Sequence, residues 1–241
     1  MGSPRIEGAR SGPGSREQPE HDVQFDYSFA IGRTAVTMAE WEAALEDDDV
    51  ANPSILESLT DSGWGRGMQP VINVTWGQAQ AYIQWLNRKL SLRGRPDAYR
   101  LPTEAEWEYS CRAGSRSAYS FGERIDATRA NFDGSAVRTS ESSDDYRRRP
   151  IAVASFSPNA FGLYDMHGNV WEWCADVFLP NYIGAPLDGS ARVHPPVALR
   201  VLRGGSWSNK PAQLRSSNRF GFDPDKSAIN IGFRLARTII R

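Results

Sequence analysis

Every strong helix signal in this chain lies in its first half. Three times a Thr stands three residues before a Glu or Gln at the head of a segment with helical apolar spacing: Thr37 with Glu40, Thr75 with Gln78 and Thr103 with Glu106. In each pair the hydroxyl can accept the amide of the third helical residue while the longer side chain returns to the Thr amide. Two donors that a helix start leaves orphaned are then satisfied together. The apolar positions agree with these starts: Met38, Trp41 and Leu45 in the first, Ala79, Tyr82, Ile83, Leu86 and Leu90 in the second, Trp107 and Cys111 in the third. Each helix is expected to lay that face on a sheet. From Gly114 onward the apolar pieces are short, broken by Gly, Pro, Asn and Asp, and no helical period outlasts about two turns. Loops and short strands are expected there.

Strand signals are few. Val23, Phe25, Tyr27, Phe29 and Ile31 alternate with polar or small residues, the period of a half-buried strand. Leu199–Leu202 and the alternation Ile231, Phe233, Leu235 read as two more. Between them Gly204–Asn230 is polar and rich in small residues, and a loop of that length inside a compact domain is usually functional or disordered. Residues 1–21, with their Gly, Pro, Ser and charge, have the composition of a mobile segment, which leaves 22–241 as one domain.

The eight Trp can fill a sizeable core. A net charge of -1 and a pI of about 6.3 set up no field that would draw the chain to nucleic acid or an anionic membrane, and the longest basic run, Arg147–Arg149, reads as a solvated loop. No apolar run reaches the ~18 residues of a membrane span, and the N-terminus has no signal-peptide pattern, so no membrane insertion and a cytoplasmic location are expected. Cys111 and Cys174 have no zinc spacing and are expected as buried free thiols. The histidines, His21, His167 and His194, are scattered and give no basis for a metal triad.

Five phrases occur in order along about two-thirds of the chain: PVINVTWGQAQAYIQWLN from Pro70, YRLPTEAEWEYSCRAG from Tyr99, NAFGLYDMHGNVWEWCAD from Asn159, RVLRGGSW from Arg200 and NIGFRLAR from Asn230. Together they resemble the formylglycine-generating enzyme (sulfatase-modifying factor) family. That resemblance implies an α+β, C-type-lectin-like fold, with twisted antiparallel sheets, helices packed outside and much irregular chain. Helices first and broken strands later are compatible with it.

The same resemblance sets a test for enzymatic activity. The family's oxidases carry a thiol pair in the loop after RGGS that binds copper, as soft thiolates suit Cu(I). Here that loop reads Trp207, Ser208, Asn209, Lys210, Pro211, Ala212, Gln213, Leu214, and residues 175–241 contain no cysteine. No copper is expected. Members that resemble hercynine sulfoxide synthases hold iron through histidines of a second domain, and this chain has neither. A metal-dependent oxidase or sulfoxide-synthase-like role would need its metal from a partner. His167 and Asp165, in YDMHGN, read as part of a Gly-containing turn before Trp171 and Trp173, and no catalytic residue is nominated. Some family members hold structural calcium near positions matching Asn131 and Asn169. Asn131, Asp145, Asn169 and Glu172 could supply its oxygen ligands, or could be hydrogen-bonded loop residues.

The loop in place of the copper site also resembles the variable region of lectin-fold proteins diversified by retroelements, in which a fixed frame alternates with positions that were Asn in a template. The frame would be Gly204, Gly205, Trp207, Arg215, Arg219, Pro224 and Gly232–Phe233–Arg234. Changing the adenines of an AAC codon gives the residues at 208, 214, 220, 221, 223, 228 and 229, whereas Lys210, Gln213 and Lys226 need another codon. On this reading the loop binds a protein or small-molecule ligand. Phe220, Phe222 and Ile229 would be apolar anchors beside Trp207, with Ser208, Asn209, Lys210, Gln213, Asn218, Lys226 and Asn230 as polar contacts. The alternative is that the aromatics fold under the loop as a satellite core.

Overall fold

A computed structural model describes residues 1–3, 16–47, 59–90, 99–136, 146–195 and 198–239. All three capping boxes form. Thr37, Thr75 and Thr103 accept the amides of Glu40, Gln78 and Glu106 at 3.1–3.2 Å, and each receives the returning side chain on its own amide at 2.8–2.9 Å. They start α1 (Met38–Leu45), α2 (Trp76–Lys89) and α3 (Glu104–Arg112). In α1 the buried face is Met38, Trp41 and Ala44, and Leu45 is exposed; in α2 Trp85 is buried while Leu90, at the C-cap, is exposed.

Helix α3 departs furthest from the expected amphipathic pattern. Trp107 and Cys111 are buried, and so are Glu104, Glu106 and Glu108. Each carboxylate meets a guanidinium, Glu106 taking two hydrogen bonds of 2.6 Å from Arg100. Buried charge of this kind is held by pairing and hydrogen bonding, which hydrophobic periodicity does not register.

Two sheets complete the α+β fold. The first, in the order β1-β7-β2, joins β1 (Ser28–Ile31), β7 (Ala236–Ile239) and β2 (Tyr99–Arg100), all antiparallel. The second, β5-β4-β3-β6, joins β5 (Arg219–Phe222), β4 (Arg200–Arg203), β3 (Trp171–Val177) and β6 (Ile231–Gly232); its β3–β6 pair is parallel and the rest antiparallel. Trp41, Tyr82, Trp173, Leu202 and Phe233 anchor the main core, with Trp41 stacked on Tyr82 at 5.5 Å. Trp107, Cys111, Met166, Cys174 and Val201 fill a second cluster between α3 and the other face of β3–β4.

Two strand expectations and one loop expectation are corrected. The first strand covers only 28–31, because Phe25 turns into an aromatic group with Phe29 and Tyr109 at 5.4 and 5.5 Å. The alternation through 231–235 breaks after Gly232: Arg234, placed outside by period two, is fully buried on Glu172, and the final strand starts at Ala236. The stretch 204–230 is no featureless loop, since it holds a 3₁₀ turn (Pro211–Leu214) and β5. Of residues 1–21, 4–15 lie outside the described residues, while Ser3 and Glu17 are buried against the domain.

Gly205 shows why the RGGS turn needs glycine. Its φ is +73°, and a Cβ there would stand 2.9 Å from the Gln213 carbonyl and 3.0 Å from the Leu214 side chain. Gly63, at φ +75°, has nothing within 4 Å. Gly205→Ala is expected to cost about 2–4 kcal/mol, and Gly63→Ala only the ~1 kcal/mol of left-handed backbone strain, as read from urea melts.

Candidate functional site

The 204–230 segment is built on buried arginines. Arg203, at the end of β4, donates to the carbonyls of Ser216 (2.9 Å), Ser217 (2.8 Å) and Asn218 (2.5 Å) and to the Glu108 carboxylate. Arg219 forms a two-pronged pair with Glu104 at 2.6 and 2.7 Å, and Arg215 forms one with Glu17 at 2.6 and 2.9 Å. Glu104 and Glu108 stand one turn apart on α3, so a single helix face grips the segment from below. Burial alone would raise the Glu108 and Glu17 carboxyls. Arg203 and Arg112 hold the first, and Arg215 the second, below the ordinary carboxylate range.

On this frame sits a polar cluster. Ser206 Oγ donates to Asn209 Oδ1 at 2.6 Å and lies 3.1 Å from Ser208 Oγ, while Asn230 Nδ2 donates to both Ser206 Oγ (3.2 Å) and Ser208 Oγ (3.1 Å). Trp207 is buried between Trp64, edge-on at 5.5 Å, and Tyr146, stacked at 6.2 Å, and its indole N–H has no hydrogen-bond partner. Phe220 and Ile229 are exposed, at 40% and 44%, and Phe220 leans on Trp171 with ring centres 5.8 Å apart.

The structure thus brings Trp207, Ser208, Asn209 and Asn230 together and presents Phe220 and Ile229 to solvent. Other expected contacts are spent locally. Lys210 Nζ lies 2.7 Å from both Asp133 and Ser135, Gln213 caps the Lys210 amide at 3.1 Å, and Asn218 donates to the Gln213 carbonyl at 2.7 Å. Lys226 is exposed and pairs with Asp223 at 3.3 Å. Phe222 is half-buried against Trp173 and belongs to the frame. Sequence reasoning missed Ser206, although it lies in the RGGS phrase. It also missed Trp64, Tyr146 and Trp171, whose approach to the segment is long-range and leaves no periodic signal.

Cys111 Sγ lies 3.7 Å from Ser216 Oγ, at the base of the 204–230 segment. Cys111 and Cys174 are both buried; burial pushes Cys111 up to about 12 and Cys174 well above the usual thiol value, so both rest as neutral thiols. The loop offers no thiolate, so its residues do not fit a copper centre.

His167 is committed to structure. Its Nδ1–H donates to the Leu214 carbonyl at 2.8 Å, Nε2 accepts the Ser120 amide at 2.9 Å, and burial drives it down to about 4, which leaves the ring neutral. Asp165 stands in the left-handed backbone region, at φ +58°; its Oδ2 accepts the Ala154 amide at 2.8 Å and its Oδ1 has no hydrogen-bond partner. Burial pushes it from 3.8 up to about 6, against the Ala154 hydrogen bond and the field of Arg234. The folded protein therefore holds this proton more tightly than the unfolded chain, and the Asp165 contribution to stability falls as pH rises through that window. Asp165→Asn is expected to exceed the native chain by about 1–3 kcal/mol at about pH 8 and to lose that advantage near pH 4, as read from urea melts at each pH.

The expected calcium ligands are divided. Asn131 and Asn169 meet: Asn131 Nδ2 donates to Asn169 Oδ1 at 3.1 Å, and that oxygen also accepts the Ile151 amide at 3.0 Å. Glu172 is turned elsewhere, its carboxylate taking Arg234 at 2.6 and 2.7 Å and the Trp107 indole at 2.6 Å. Asp145 lies outside the described residues. Asn169 Oδ1 and Glu172 are thus occupied by N–H donors, while Asn131 Oδ1 is buried without a hydrogen-bond partner. Among the described residues no group of three or more His, Cys, Asp or Glu could hold a metal ion, and no helix is long and apolar enough to cross a membrane.

Fold and site define an α+β domain with short curled sheets and a polar and aromatic cluster on the 204–230 segment. The chain belongs to the sulfatase-modifying factor enzyme 1-like domain family, whose sequence profile matches residues 2–239. It is 35% identical to the formylglycine-generating enzyme of Streptomyces coelicolor over 179 residues, 71% of this chain and 54% of that protein. Among solved structures it is similar to PvdO from Pseudomonas aeruginosa, with a TM-score of 0.78 and 34% identity over 99% of this chain and 90% of that one. It is also similar to Treponema denticola variable protein 1, with a TM-score of 0.70 and 28% identity over 95% and 90%. The chain spans 25–54% of the length of the first curated relatives it matches.

Proposed function

We propose that this chain is a non-catalytic domain that binds a protein or small-molecule ligand on the surface built by residues 207–230, as a variable protein whose exposed positions a retroelement diversifies. The observation that carries this reading is the split between frame and surface. Arg215, Arg219, Phe233 and Arg234 are buried, whereas Ser208, Phe220, Gly221, Asp223, Ala228 and Ile229 are half-buried or exposed. Diversity at Ser208, Phe220, Asp223 and Ile229 leaves the fold untouched, whereas a Cβ at Gly221 would stand 2.4 Å from the Phe178 ring and Ala228 packs on the main core. Leu214 is constrained most, fully buried with Tyr119 and Phe132, and on packing grounds it belongs to the frame. Exposed Phe220 and Ile229, together with the polar cluster of Ser208, Asn209 and Asn230, give the mix of apolar anchor and adaptable hydrogen bonding that binding surfaces use. The likeness to a Treponema variable protein supports the same reading.

The likeness to the Streptomyces enzyme favours a second one, a metal-dependent oxidase or oxidase subunit whose metal comes from elsewhere. Elemental analysis of the purified chain, with oxygen uptake measured on a cysteine-containing peptide, separates the two. No stoichiometric copper or iron and no uptake are expected; a redox metal together with uptake would overturn the binding reading. Sequencing beside the gene tests the retroelement part. A reverse transcriptase and a near-copy of the 3′ coding segment are expected, and the absence of both removes that part while leaving the binding domain.

A further inference from the structure

Away from the 207–230 surface, a cleft of about 500 Å³ opens beside the His167 turn, within the size range of small-molecule sites. Phe121, Pro158, Leu163 and Met166 give the apolar part of a lining that is otherwise polar, and Asp165 and Arg129 bring charge to its wall. The Arg129 guanidinium is half-exposed, lies 3.7 Å from Asp126 and donates to the Phe121 carbonyl at 3.3 Å, so its charge is answered at the rim. Asp165 has no such answer. Among the described lining residues it is the one carboxylate; one of its oxygens is buried without a hydrogen-bond partner, and its backbone is held in a conformation that costs a non-glycine residue energy. Arg234 and Glu172 contribute to its field, but the Arg234 hydrogen bonds go to Glu172, Gly32 and Tyr164, and His167 spends both ring nitrogens on Leu214 and Ser120. An ionised, poorly solvated carboxylate with one unpartnered oxygen, on the wall of a cleft that is part apolar and part polar, is complementary to a donor-rich cation that brings its own hydrophobic body.

We propose that this cleft binds a small organic cation, an amine on an apolar body, whose N–H groups donate to the Asp165 carboxylate. The site does not depend on the reading of the 207–230 surface.

Benzylamine and benzyl alcohol, titrated into the full chain and followed by protein NMR, test it, because they share a body and differ in charge. Benzylamine is expected to bind about tenfold or more tightly than the alcohol. Asp165→Asn is expected to abolish that preference, since the amide keeps the acceptor for Ala154 and Asn is, after glycine, among the residues that best tolerate the left-handed backbone. Ala160→Trp, on the exposed cleft wall, is expected to weaken both ligands and serves if the first variant does not fold. Equal affinity for the two probes, no benzylamine binding up to about 10 mM, a preference that survives Asp165→Asn, or binding indifferent to Ala160→Trp would each overturn the proposal.

Discussion

Arg203→Ala is expected to remove about 3–5 kcal/mol of folding stability, the range for breaking a buried charge pair from one side. Arg203 is fully buried, and its guanidinium serves two structures at once: it answers Glu108 on α3 and gathers the carbonyls of Ser216, Ser217 and Asn218. Alanine leaves Glu108 with Arg112 as its remaining side-chain pair and leaves three carbonyls to find other donors in a dry place. A cavity the size of the lost side chain adds to the cost. Guanidinium melts of the native chain and variant read the loss directly. The same change should loosen residues 216–218 before the rest of the fold, seen as faster amide exchange there than in β3. A cost near the ~0–1 kcal/mol of an exposed ion pair would show that the segment supports itself without this buried frame.

Glu172→Gln is the second large effect, again about 3–5 kcal/mol, because it takes from Arg234, which is 0% exposed, its ion-pair partner. The pair joins β3 to the turn between β6 and β7, and the Trp107 indole shares the same carboxylate. Replacing both partners at once, as Glu172→Leu with Arg234→Met, is expected to recover most of the loss, since removing a buried pair whole also removes its desolvation cost. The Glu172→Gln cost is expected to be the same with added calcium as with a chelator. A cost that appears only with calcium would make Glu172 a metal ligand.

What the sequence shows and what it hides follow from the range of the interactions. The three capping boxes are local, made between residues three apart, and all three form. Glu104, Glu108 and Arg234 look like solvent-facing positions because hydrophobic period counts charge as surface; each is buried by a partner 62–115 residues away. The same limit hid the aromatic wall of the candidate site. Trp64 reaches Trp207, and Trp171 reaches Phe220, only once the sheet and loops are assembled. The loop's frame was readable as glycines and arginines at set places. That the arginines point inward, and that Phe222 and Leu214 join them, required the carboxylates of α3 and the ring of Trp173 to be placed.

The most direct measurement is the binding of the native chain and of a variant carrying Ser208→Ala, Asn209→Ala, Phe220→Ala and Asn230→Ala to one array of peptides and glycans. All four positions are half-buried or exposed, so the variant should melt within about 1–2 kcal/mol of the native chain. The native chain is expected to retain a discrete set of array features that the variant loses by about tenfold or more. Equal retention by both proteins would contradict a binding surface at residues 207–230.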